Sequence, residues 1–367
     1  MIGKGKNLCV LFIVISTLVS AQKQDGYVWY TVSDSVHRFE GQGWENIGSN
    51  RLPDKAENTV RDAVWNLSRS SAGLGVRFET DADSVVVQYN VGGNLAMDHF
   101  PSTGVSGVDL YVKNKNDWLW CRGKYDFKDI IRYHFTVDAL PKGLQNYQLL
   151  FPLYNDIKNL QVGVKDGSSF RFLPPRPEKP VVVYGTSIAQ GACASRPGMA
   201  WTNILSRKLD YPVVNLGFSG NGRLEPEVIA LINEIDASVF VLDCLPNLSP
   251  NEKRTKEEIQ KRIGESVSSL RKKHPQTPIL LVQHAGYSDG LVDKARKKVY
   301  ETLNSWMTES FEALKKEGFE KLYMLTKAEI GLSNSAFVDG THPTDLGMEQ
   351  YATAYDKILK PLVQQVD

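Results

Sequence analysis

Residues 181–191, VVVYGTSIAQG, decide the fold of the second half of this chain. Their apolar, β-branched start predicts a parallel strand that is covered on both faces. Gly185 permits a tight turn that lifts Ser187 above the end of the sheet. A helix is expected afterwards, because residues 200–209 place apolar side chains on one face. This order suits an exposed nucleophile, although an ordinary strand-to-helix turn has a similar composition.

Two titratable residues near the C-terminus could serve this serine. Asp339 and His342 stand three positions apart in DGTHP, on a loop before a predicted helix at 345–362. A serine nucleophile needs a neutral imidazole to accept its proton, and the imidazole needs a carboxylate to fix its tautomer. His342 is therefore predicted as the general base, with Asp339 as its partner. His284, just after another predicted strand, is the competing base, and Asp339 is alternatively only a turn residue.

Two further strand ends supply neutral hydrogen-bond donors. The predicted strand at 213–216 opens into a glycine-rich loop that contains Gly220, and the strand at 239–242 leads to Asn247. Ligands of parallel sheets bind beyond the carboxyl ends of the strands. A glycine N–H and an asparagine amide at that edge can face an oxyanion. In the alternative, Gly220 only provides a positive φ and Asn247 only ends a strand.

These residues form four blocks in sequence order: GTS with Ser187, NLGFSGNG with Gly220, CLPN with Asn247, and DGTH with Asp339 and His342. In this arrangement the chain resembles the SGNH (GDSL-type) hydrolases, whose blocks supply a serine, a glycine, an asparagine and an Asp-x-x-His pair. The resemblance implies an ester hydrolase with a Ser-His-Asp triad. It also implies an oxyanion hole made by Ser187, Gly220 and Asn247, with neither a metal nor an organic cofactor.

The resemblance departs from the usual pattern at one position and extends beyond the four blocks. Thr186 stands where the family commonly has aspartate, a change that leaves the serine in place. Residues 107–111, GVDLY, resemble the GxDLY signature in the N-terminal region of one subgroup. The expected fold is α/β, with a three-layer, flavodoxin-like hydrolase domain that has a mainly parallel sheet. An all-β sandwich or jelly-roll domain is expected to precede it.

Strands and helices are predicted to alternate throughout residues 181–367, the expected hydrolase domain. Alternation of this kind argues for a mainly parallel sheet with helices on both faces. The strands are expected at 181–184, 213–216, 239–242, 279–282 and 321–325. The helices are expected at 200–209, 225–234, 255–273, 291–317 and 345–362.

Residues 26–172 are predicted to be all-β, because short runs rich in Val, Tyr and Phe alternate with turn residues. These runs lie at 75–79, 84–89, 108–112, 133–137, 147–151 and 160–164. Their spacing suggests a sandwich or jelly roll. Several aromatic residues could stack on sugar rings, although each more commonly fills a core: Trp29, Tyr30, Trp44, Trp65, Trp118, Trp120 and Tyr125. Four prolines at 173–180 predict a stiff linker to the second domain.

The first residues predict a secretory signal. Lys4 and Lys6 precede an apolar run at 8–19, and cleavage is expected after Ala21, so the signal is residues 1–21. A membrane anchor is the alternative, but the run is too short for a bilayer core of about 30 Å. We therefore expect a secreted or periplasmic protein without stable membrane insertion after cleavage. The 367 residues have a formal net charge of +1, so no nucleic-acid partner is expected.

The remaining cysteines are Cys121, Cys193 and Cys244, which have no CxxC spacing. This pattern predicts neither a metal site nor a disulfide framework. A bond between Cys193 and Cys244 is the alternative to buried free thiols. The weaker candidates for substrate contacts are Arg196, Gln190 and Asn221, and Arg196 is alternatively a solvated loop charge.

The predicted substrate is an ester with a small acyl group, because no long apolar lid segment lies beside the motifs. A secreted protein with an aromatic-rich β-domain suits O-acetylated carbohydrate, an inference that rests on analogy of fold. Two alternatives stay open. One is a lipase or thioesterase for longer acyl chains, and the other is a carbohydrate-binding protein with an inactive hydrolase domain.

Overall fold

The computed structural model describes residues 21–32 and 39–364. The predicted signal peptide, residues 1–21, lies outside this part of the chain apart from its last residue. Among the described helices, none combines the length and the apolar character that crossing a bilayer requires.

Two antiparallel sheets form the first half of the chain and enclose one apolar core. Their strands are β1 (Ala21–Gln24), β2 (Tyr27–Thr31), β3 (Gly75–Thr80), β4 (Ser84–Asn90), β5 (Asp109–Asn114), β6 (Asp117–Cys121), β7 (Gly123–Phe127), β8 (Ile131–Thr136), β9 (Gln145–Leu150), β10 (Lys158–Lys165) and β11 (Phe170–Leu173). The sheet orders are β1-β2-β10-β4-β8-β7 and β11-β3-β9-β5-β6. Side chains of β8 alternate between buried and exposed, as expected where one face of a sheet covers a core.

The six strands predicted for this half are present as β3, β4, β5, β8, β9 and β10. The other strands of this half are not predicted from the sequence, and β6 and β7 show why. Both expose most of their side chains, so they lack the apolar alternation that indicates a strand.

Two short helices in the first half differ from the all-β expectation for 26–172. The described helices here are α1 (Asp62–Ser68) and α2 (Ser102–Val105). Before and within α1, four buried apolar residues recur every four positions: Leu52, Ala56, Val60 and Val64. Only Val64 lies in α1, because the residues before it form bends, turns and the 3-10 turn Asp54–Ala56. All four side chains pack into a core of the second half, so the two halves share apolar packing.

Five parallel strands form the sheet of the second half. They are β12 (Val181–Gly185), β13 (Val213–Gly217), β14 (Val239–Asp243), β15 (Ile279–Val282) and β16 (Leu322–Leu325). Their order in the sheet is β13-β12-β14-β15-β16, and every pairing is parallel. The sequence predicts all five strands. β12 is buried along its whole length, as expected for a strand that is covered on both faces.

Helices cover both faces of this sheet. They are α3 (Ser187–Gln190), α4 (Trp201–Leu209), α5 (Pro226–Ile232), α6 (Lys256–Lys273), α7 (Lys294–Lys316), α8 (Lys327–Ile330) and α9 (Asp345–Val363). Along β12, Val182 and Tyr184 face the layer of α5, α6 and α7, whereas Val181 and Val183 face the layer of α4 and α9. The predicted three-layer, flavodoxin-like α/β fold is confirmed.

The helix bounds differ from the predictions at a few points. α3 and α8 have four residues each, too few to show the period of a helix face. α7 begins at Lys294 rather than at residue 291, because the Asp293 side chain caps it by accepting from the N–H groups of Ala295 and Arg296. Single turns of 3-10 helix lie at Asp54–Ala56, Pro197–Met199, Leu245–Asn247, Ser288–Leu291 and Asn334–Ala336.

The aromatic side chains of the first half mostly serve packing and contacts between the halves. Trp29 is buried, and Trp65 lies under the guanidinium of Arg69. The indole N–H groups of Trp44 and Trp118 donate to Glu234 and Asp210 of the second half. Of the seven aromatic residues that could stack on sugars, two are more exposed, Trp120 at 46% and Tyr125 at 56%.

A buried ion pair holds the proline-rich linker. The Arg176 side-chain Nε donates to Glu40 Oε1 at 2.6 Å, and the Arg176 backbone N–H donates to Glu40 Oε2 at 2.9 Å. The same guanidinium donates through Nη2 to Ser206 Oγ on α4 at 2.8 Å. The side chains of Arg176 and Glu40 are only 9% and 4% exposed. The linker is therefore bonded to both halves of the chain.

Replacing Arg176 with methionine should lower the free energy of unfolding by about 3 kcal/mol, because the Glu40 carboxylate would stay buried without its cation. Chemical denaturation followed by tryptophan fluorescence measures this loss. Lys165→Met is the control, since its ion pair with Asp83 is exposed on both sides and its removal should change stability little. Equal losses of unfolding free energy in the two variants would show that burial does not make the Arg176–Glu40 pair more important for stability than an exposed pair.

Candidate active site

The carboxyl ends of three neighbouring strands stand at one edge of the parallel sheet. Gly185, the last residue of β12, pairs with Gly217 of β13 and with Asp243 of β14. The loops that continue from these strand ends carry three predicted site residues: Ser187, Gly220 and Asn247. The register of the sheet therefore brings together segments that are distant in sequence.

Ser187 is the first residue of α3, directly after the turn at Gly185. Thr186 caps this short helix, because its hydroxyl accepts a hydrogen bond from the Ile188 N–H at 3.3 Å. Gly191 follows the helix with a φ of 107°, a left-handed conformation that suits glycine. The threonine that replaces the family's usual aspartate therefore has a structural role here. Ser187 itself is 7% exposed.

Ser187, His342 and Asp339 form a continuous chain of hydrogen bonds. Ser187 Oγ lies 2.9 Å from His342 Nε2, and His342 Nδ1 lies 2.7 Å from Asp339 Oδ2. An ionised carboxylate only accepts, so Nδ1 carries the proton and Nε2 can accept from the serine hydroxyl. Asp339 Oδ1 also accepts from the backbone N–H groups of His342 and Thr341, at 2.8 and 3.0 Å. One loop therefore orients both the carboxylate and the imidazole.

Hydrogen bonds outweigh burial at Asp339. Burial raises the pKa of Asp339, but the backbone N–H and the ring of His342 lower it to about 2. The ordinary pKa of aspartate is about 3.9, so this carboxylate stays ionised at neutral and mildly acidic pH. An ionised Asp339 stabilises the imidazolium that forms when His342 takes a proton.

His284, the competing base, does not bond to Ser187. It is 1% exposed, and its Nδ1 accepts from the Gly286 N–H at 2.9 Å. Burial, together with the charges of Arg296 and Lys327, lowers the pKa of His284 to about 3. The ring is therefore neutral and buried, and the structure brings His342 to Ser187 instead.

Two backbone donors at this edge lack acceptors. Within residues 21–32 and 39–364, neither the Ser187 N–H nor the Gly220 N–H donates a hydrogen bond. Gly220 has a φ of 67° and lies in a turn in which the N–H groups of Asn221 and Gly222 both donate to Phe218 O. Both unpaired N–H groups are available to developing negative charge.

The Asn247 side chain lies against the same turn. In its favourable orientation, the side-chain oxygen accepts from the N–H groups of Asn221 and Gly222 at 3.0 and 3.1 Å. The reverse orientation would bring the amide N–H groups against those donors. Its NH2 therefore lies on the side away from these two N–H groups.

Two of the weaker candidates have protein partners. Gln190 is buried, donates to Leu153 O at 3.2 Å and accepts from the Ser219 N–H at 3.0 Å. Asn221 accepts from Arg61 Nη1 at 2.7 Å. Both residues connect the second half to the first. Their roles as substrate contacts stay predictions.

Arg196 belongs to a polar cluster around the aspartate of the GxDLY signature. Its Nη1 donates to Asp109 Oδ2 at 2.8 Å and to Tyr111 Oη at 2.6 Å. The Gly198 N–H and Trp120 Nε1 also donate to Asp109, at 2.7 and 3.0 Å. Burial raises the pKa of Asp109, and these donors oppose that rise. Arg196 is therefore not a solvated charge but ties the loop after α3 to β5, and a direct contact with substrate stays a prediction.

A cleft of about 410 Å³ opens over His342 between the two halves of the chain. The first half contributes Ala63, Leu67, Met97, His99, Phe100 and Tyr154. The second half contributes Ala192, Ser219, Asn221 and His342. Apolar walls with a few polar groups are typical of a small-molecule site.

Several residues that hold the site were not predicted. Asn215 of β13 donates to Ala189 O at 2.7 Å and to Thr202 Oγ1 at 2.9 Å, which braces the helix that carries the serine. Asp345 accepts from the N–H and the hydroxyl of Ser195, at 2.8 and 2.5 Å. The sequence could have indicated Asn215, because an asparagine inside an apolar strand is unusual. No local sequence feature indicates which residues of the first half form the wall of the cleft.

All three cysteines of the described chain are buried free thiols: Cys121, Cys193 and Cys244. The structure has no bond between Cys193 and Cys244, which agrees with the prediction of buried free thiols rather than with the disulfide alternative. Burial raises the pKa of Cys193 to about 12, so its thiol is protonated at neutral pH.

Fold and site together define an esterase of the SGNH type. Residues 178–360 match the GDSL-like lipase/acylhydrolase family, and residues 27–170 match the GxDLY domain, the N-terminus of SGNH-hydrolase-type esterases. The chain belongs to the GDSL-like lipase/acylhydrolase family. No curated protein sequence matches it.

Three solved structures illustrate the proteins that share this fold. A Bacteroides ovatus protein described as a GDSL-like lipase is 30% identical over 92% of this chain and 98% of its own, with a TM-score of 0.82. The salicylyl-acyltransferase SsfX3 of a tetracycline biosynthetic pathway is 20% identical over 94% and 93%, with a TM-score of 0.67. The acetyl xylan esterase Est2A of the rumen bacterium Butyrivibrio proteoclasticus is 13% identical over 81% and 91%, with a TM-score of 0.52. The last two show the shared fold alone.

Ser187→Ala and His342→Ala should each lower esterase turnover by at least about a thousandfold while leaving the fold intact, because the two groups act as one proton-transfer unit. The double variant should be little worse than either single variant. Steady-state kinetics and circular dichroism measure the two effects. His284→Asn is the control and should keep its turnover. Near-native turnover in His342→Ala, with loss in His284→Asn, would show that His342 is not the base.

Proposed function

We propose that this chain is an exported serine ester hydrolase that removes acetyl groups from carbohydrate. The observation that carries the proposal is the chain of hydrogen bonds from Ser187 through His342 to Asp339. These hydrogen-bonded residues meet the cleft at His342, whose side chain forms part of the cleft wall. A hydroxyl, a neutral imidazole and an ionised carboxylate in this order are the parts of a serine nucleophile.

Acylation begins when Ser187 Oγ attacks the ester carbonyl carbon. His342 Nε2 takes the hydroxyl proton, and Asp339 stabilises the resulting imidazolium through Nδ1. The tetrahedral intermediate then expels the alcohol, which receives the proton from Nε2. An acyl group remains on Ser187. In the second half of the reaction a water molecule gives a proton to Nε2 and attacks the acyl carbon. The second tetrahedral intermediate then breaks its bond to Ser187 Oγ, which takes the proton back from Nε2 as the acid is released.

The carbonyl oxygen becomes negative in both steps. We assign its donors to the Ser187 N–H, the Gly220 N–H and the Asn247 amide. The support is that both N–H groups lack acceptors within the described chain and that the Asn247 oxygen is already engaged by the adjoining turn. Fixed donors need no reorganisation as the charge develops, and each is worth about 100- to 1,000-fold in turnover.

The proposed substrate rests on the cleft and on the solved structures that share the fold. The cleft has a volume of about 410 Å³, and both halves of the chain line it. The first half would therefore contact the alcohol part of the ester. Polar groups of Ser219 and Asn221 in the wall suit a hydroxyl-rich molecule. An acetyl xylan esterase shares the fold, which supports acetylated carbohydrate by analogy. Export is proposed from Lys4, Lys6 and the apolar run at 8–19.

Initial rates on p-nitrophenyl acetate and p-nitrophenyl octanoate test the acyl group. We expect kcat/KM to favour the acetate by at least about tenfold, because each misplaced methylene costs about 1–3 kcal/mol in a confined site. Acetate released from acetylated xylo-oligosaccharides tests the alcohol part. Preference for the octanoate would favour the lipase or thioesterase alternative instead.

The serine assignment needs a matched control in the same assay. Ser187 and Ser310 are both 7% exposed, and Ser310 lies on α7. Ser310→Ala should keep full activity on the acetate, whereas Ser187→Ala should lose it. A wild-type protein that binds acetylated oligosaccharide without releasing acetate would support the inactive carbohydrate-binding alternative.

A further inference from the structure

Two side chains that could ligate a metal ion lie beside the imidazole that faces Ser187. His99, Cys193 and His342 each offer a nitrogen or a sulfur atom, and these atoms all lie within 4.8 Å of one another. The three residues come from three distant segments of the chain, and His99 belongs to the first half. Two imidazoles and a thiolate are ligands that zinc prefers.

We propose that His99, Cys193 and His342 bind Zn²⁺ and that the bound ion reversibly inhibits the enzyme. Inhibition rests on the proposed function, because the ion would occupy the nitrogen that must accept the serine proton. Binding itself does not rest on that function.

The bonding of His342 already fixes which nitrogen would face the ion. Nδ1 donates to Asp339 Oδ2 at 2.7 Å, so only Nε2 has a free lone pair. A carboxylate behind a ligating histidine orients the ring and raises its basicity in metal sites. The Ser187 hydroxyl now lies 2.9 Å from Nε2. Zn²⁺ would replace the hydroxyl proton as the partner of that nitrogen.

Cys193 is held where a ligand is needed. It is 6% exposed and has a φ of 67°, a conformation that costs a residue other than glycine about 1 kcal/mol or more. Strain of this kind clusters at functional sites. Its thiol forms no disulfide. On binding, the S–H bond breaks, the proton leaves to solvent and a Zn–S bond forms, since a coordinating thiol is deprotonated by the cation.

His99 completes the set from the opposite wall of the cleft. Its ring centroid lies 5.8 Å from that of His342, and its side chain is exposed. Zinc bonds of about 2.0–2.3 Å hold ligand atoms closer together than 4.8 Å. Rotation of the exposed His99 side chain can shorten its distances to the other two ligands. Three protein ligands leave a fourth position for water.

Inhibition by added ZnCl2 tests the functional consequence. Wild-type protein should lose hydrolysis of p-nitrophenyl acetate, and EDTA should restore it. MgCl2 at the same concentration should have no effect, because Mg²⁺ prefers oxygen ligands. Cys193→Ser should hydrolyse the acetate normally and require on the order of a hundredfold more Zn²⁺ for half-inhibition, since even an outer partner of a metal ligand is worth about 10- to 100-fold. Cys121→Ser, a buried thiol outside the cluster, should behave as the wild type.

Cobalt titration of Ser187→Ala tests binding without any need for activity. Co²⁺ in this site should produce a thiolate-to-cobalt absorption band in the near ultraviolet at one ion per chain. The band should be absent when Cys193→Ser is added to Ser187→Ala, and His99→Ala should weaken binding by roughly tenfold or more.

Two results would overturn the proposal. One is equal zinc sensitivity in the wild type and Cys193→Ser, and the other is a titration of Ser187→Ala without the cobalt–thiolate band. A protein without esterase activity that still shows the band would instead refute the proposed function and retain the metal site.

Discussion

The in-register ends of β12, β13 and β14 are the constraint on which the site depends. Gly185 pairs with both neighbours at the last position of the strand, so the three loops leave the sheet side by side. They then approach so closely that a Cβ added to Gly222 would lie 1.9 Å from Gly185 O. This close contact between the two backbones fixes the position of the turn at Ser187 relative to the turn that carries the unpaired Gly220 N–H. The sheet therefore sets the position of Ser187 relative to Gly220.

The β-sandwich is built into this arrangement through Asp109. A buried carboxylate is costly unless donors surround it, and here Arg196, Gly198 and Trp120 supply them. Gly198 and Arg196 belong to the loop after α3, so the signature of the first half fixes a loop of the second. The same contact explains why the two halves share one cleft. Removing Asp109 would leave the Arg196 guanidinium half-buried without its carboxylate.

The sequence was sufficient for the parallel sheet, for six strands of the sandwich and for the residues that the structure joins as Ser187, His342 and Asp339. Each of these carries a local signal: a buried apolar run, an alternating run, or a spacing within one loop. The wall of the cleft could not be predicted, because Met97 and His99 approach His342 only after the two halves pack. The burial of Leu52, Ala56 and Val60 also has no local signal, because they lie in bends and turns before α1 and pack against the second half.

The most direct measurement is a crystal structure of the protein after reaction with a p-nitrophenyl alkylphosphonate, which forms a stable tetrahedral adduct on an active serine. We expect phosphorus bonded to Ser187 Oγ, with its unesterified oxygen within hydrogen-bond distance of the Ser187 N–H, the Gly220 N–H and Asn247 Nδ2. Phosphorus on another side chain would contradict the assignment of Ser187 as the nucleophile. An adduct on Ser187 whose oxygen points away from Gly220 and Asn247 would contradict the assigned oxyanion donors, because the three strand ends would then not form one site.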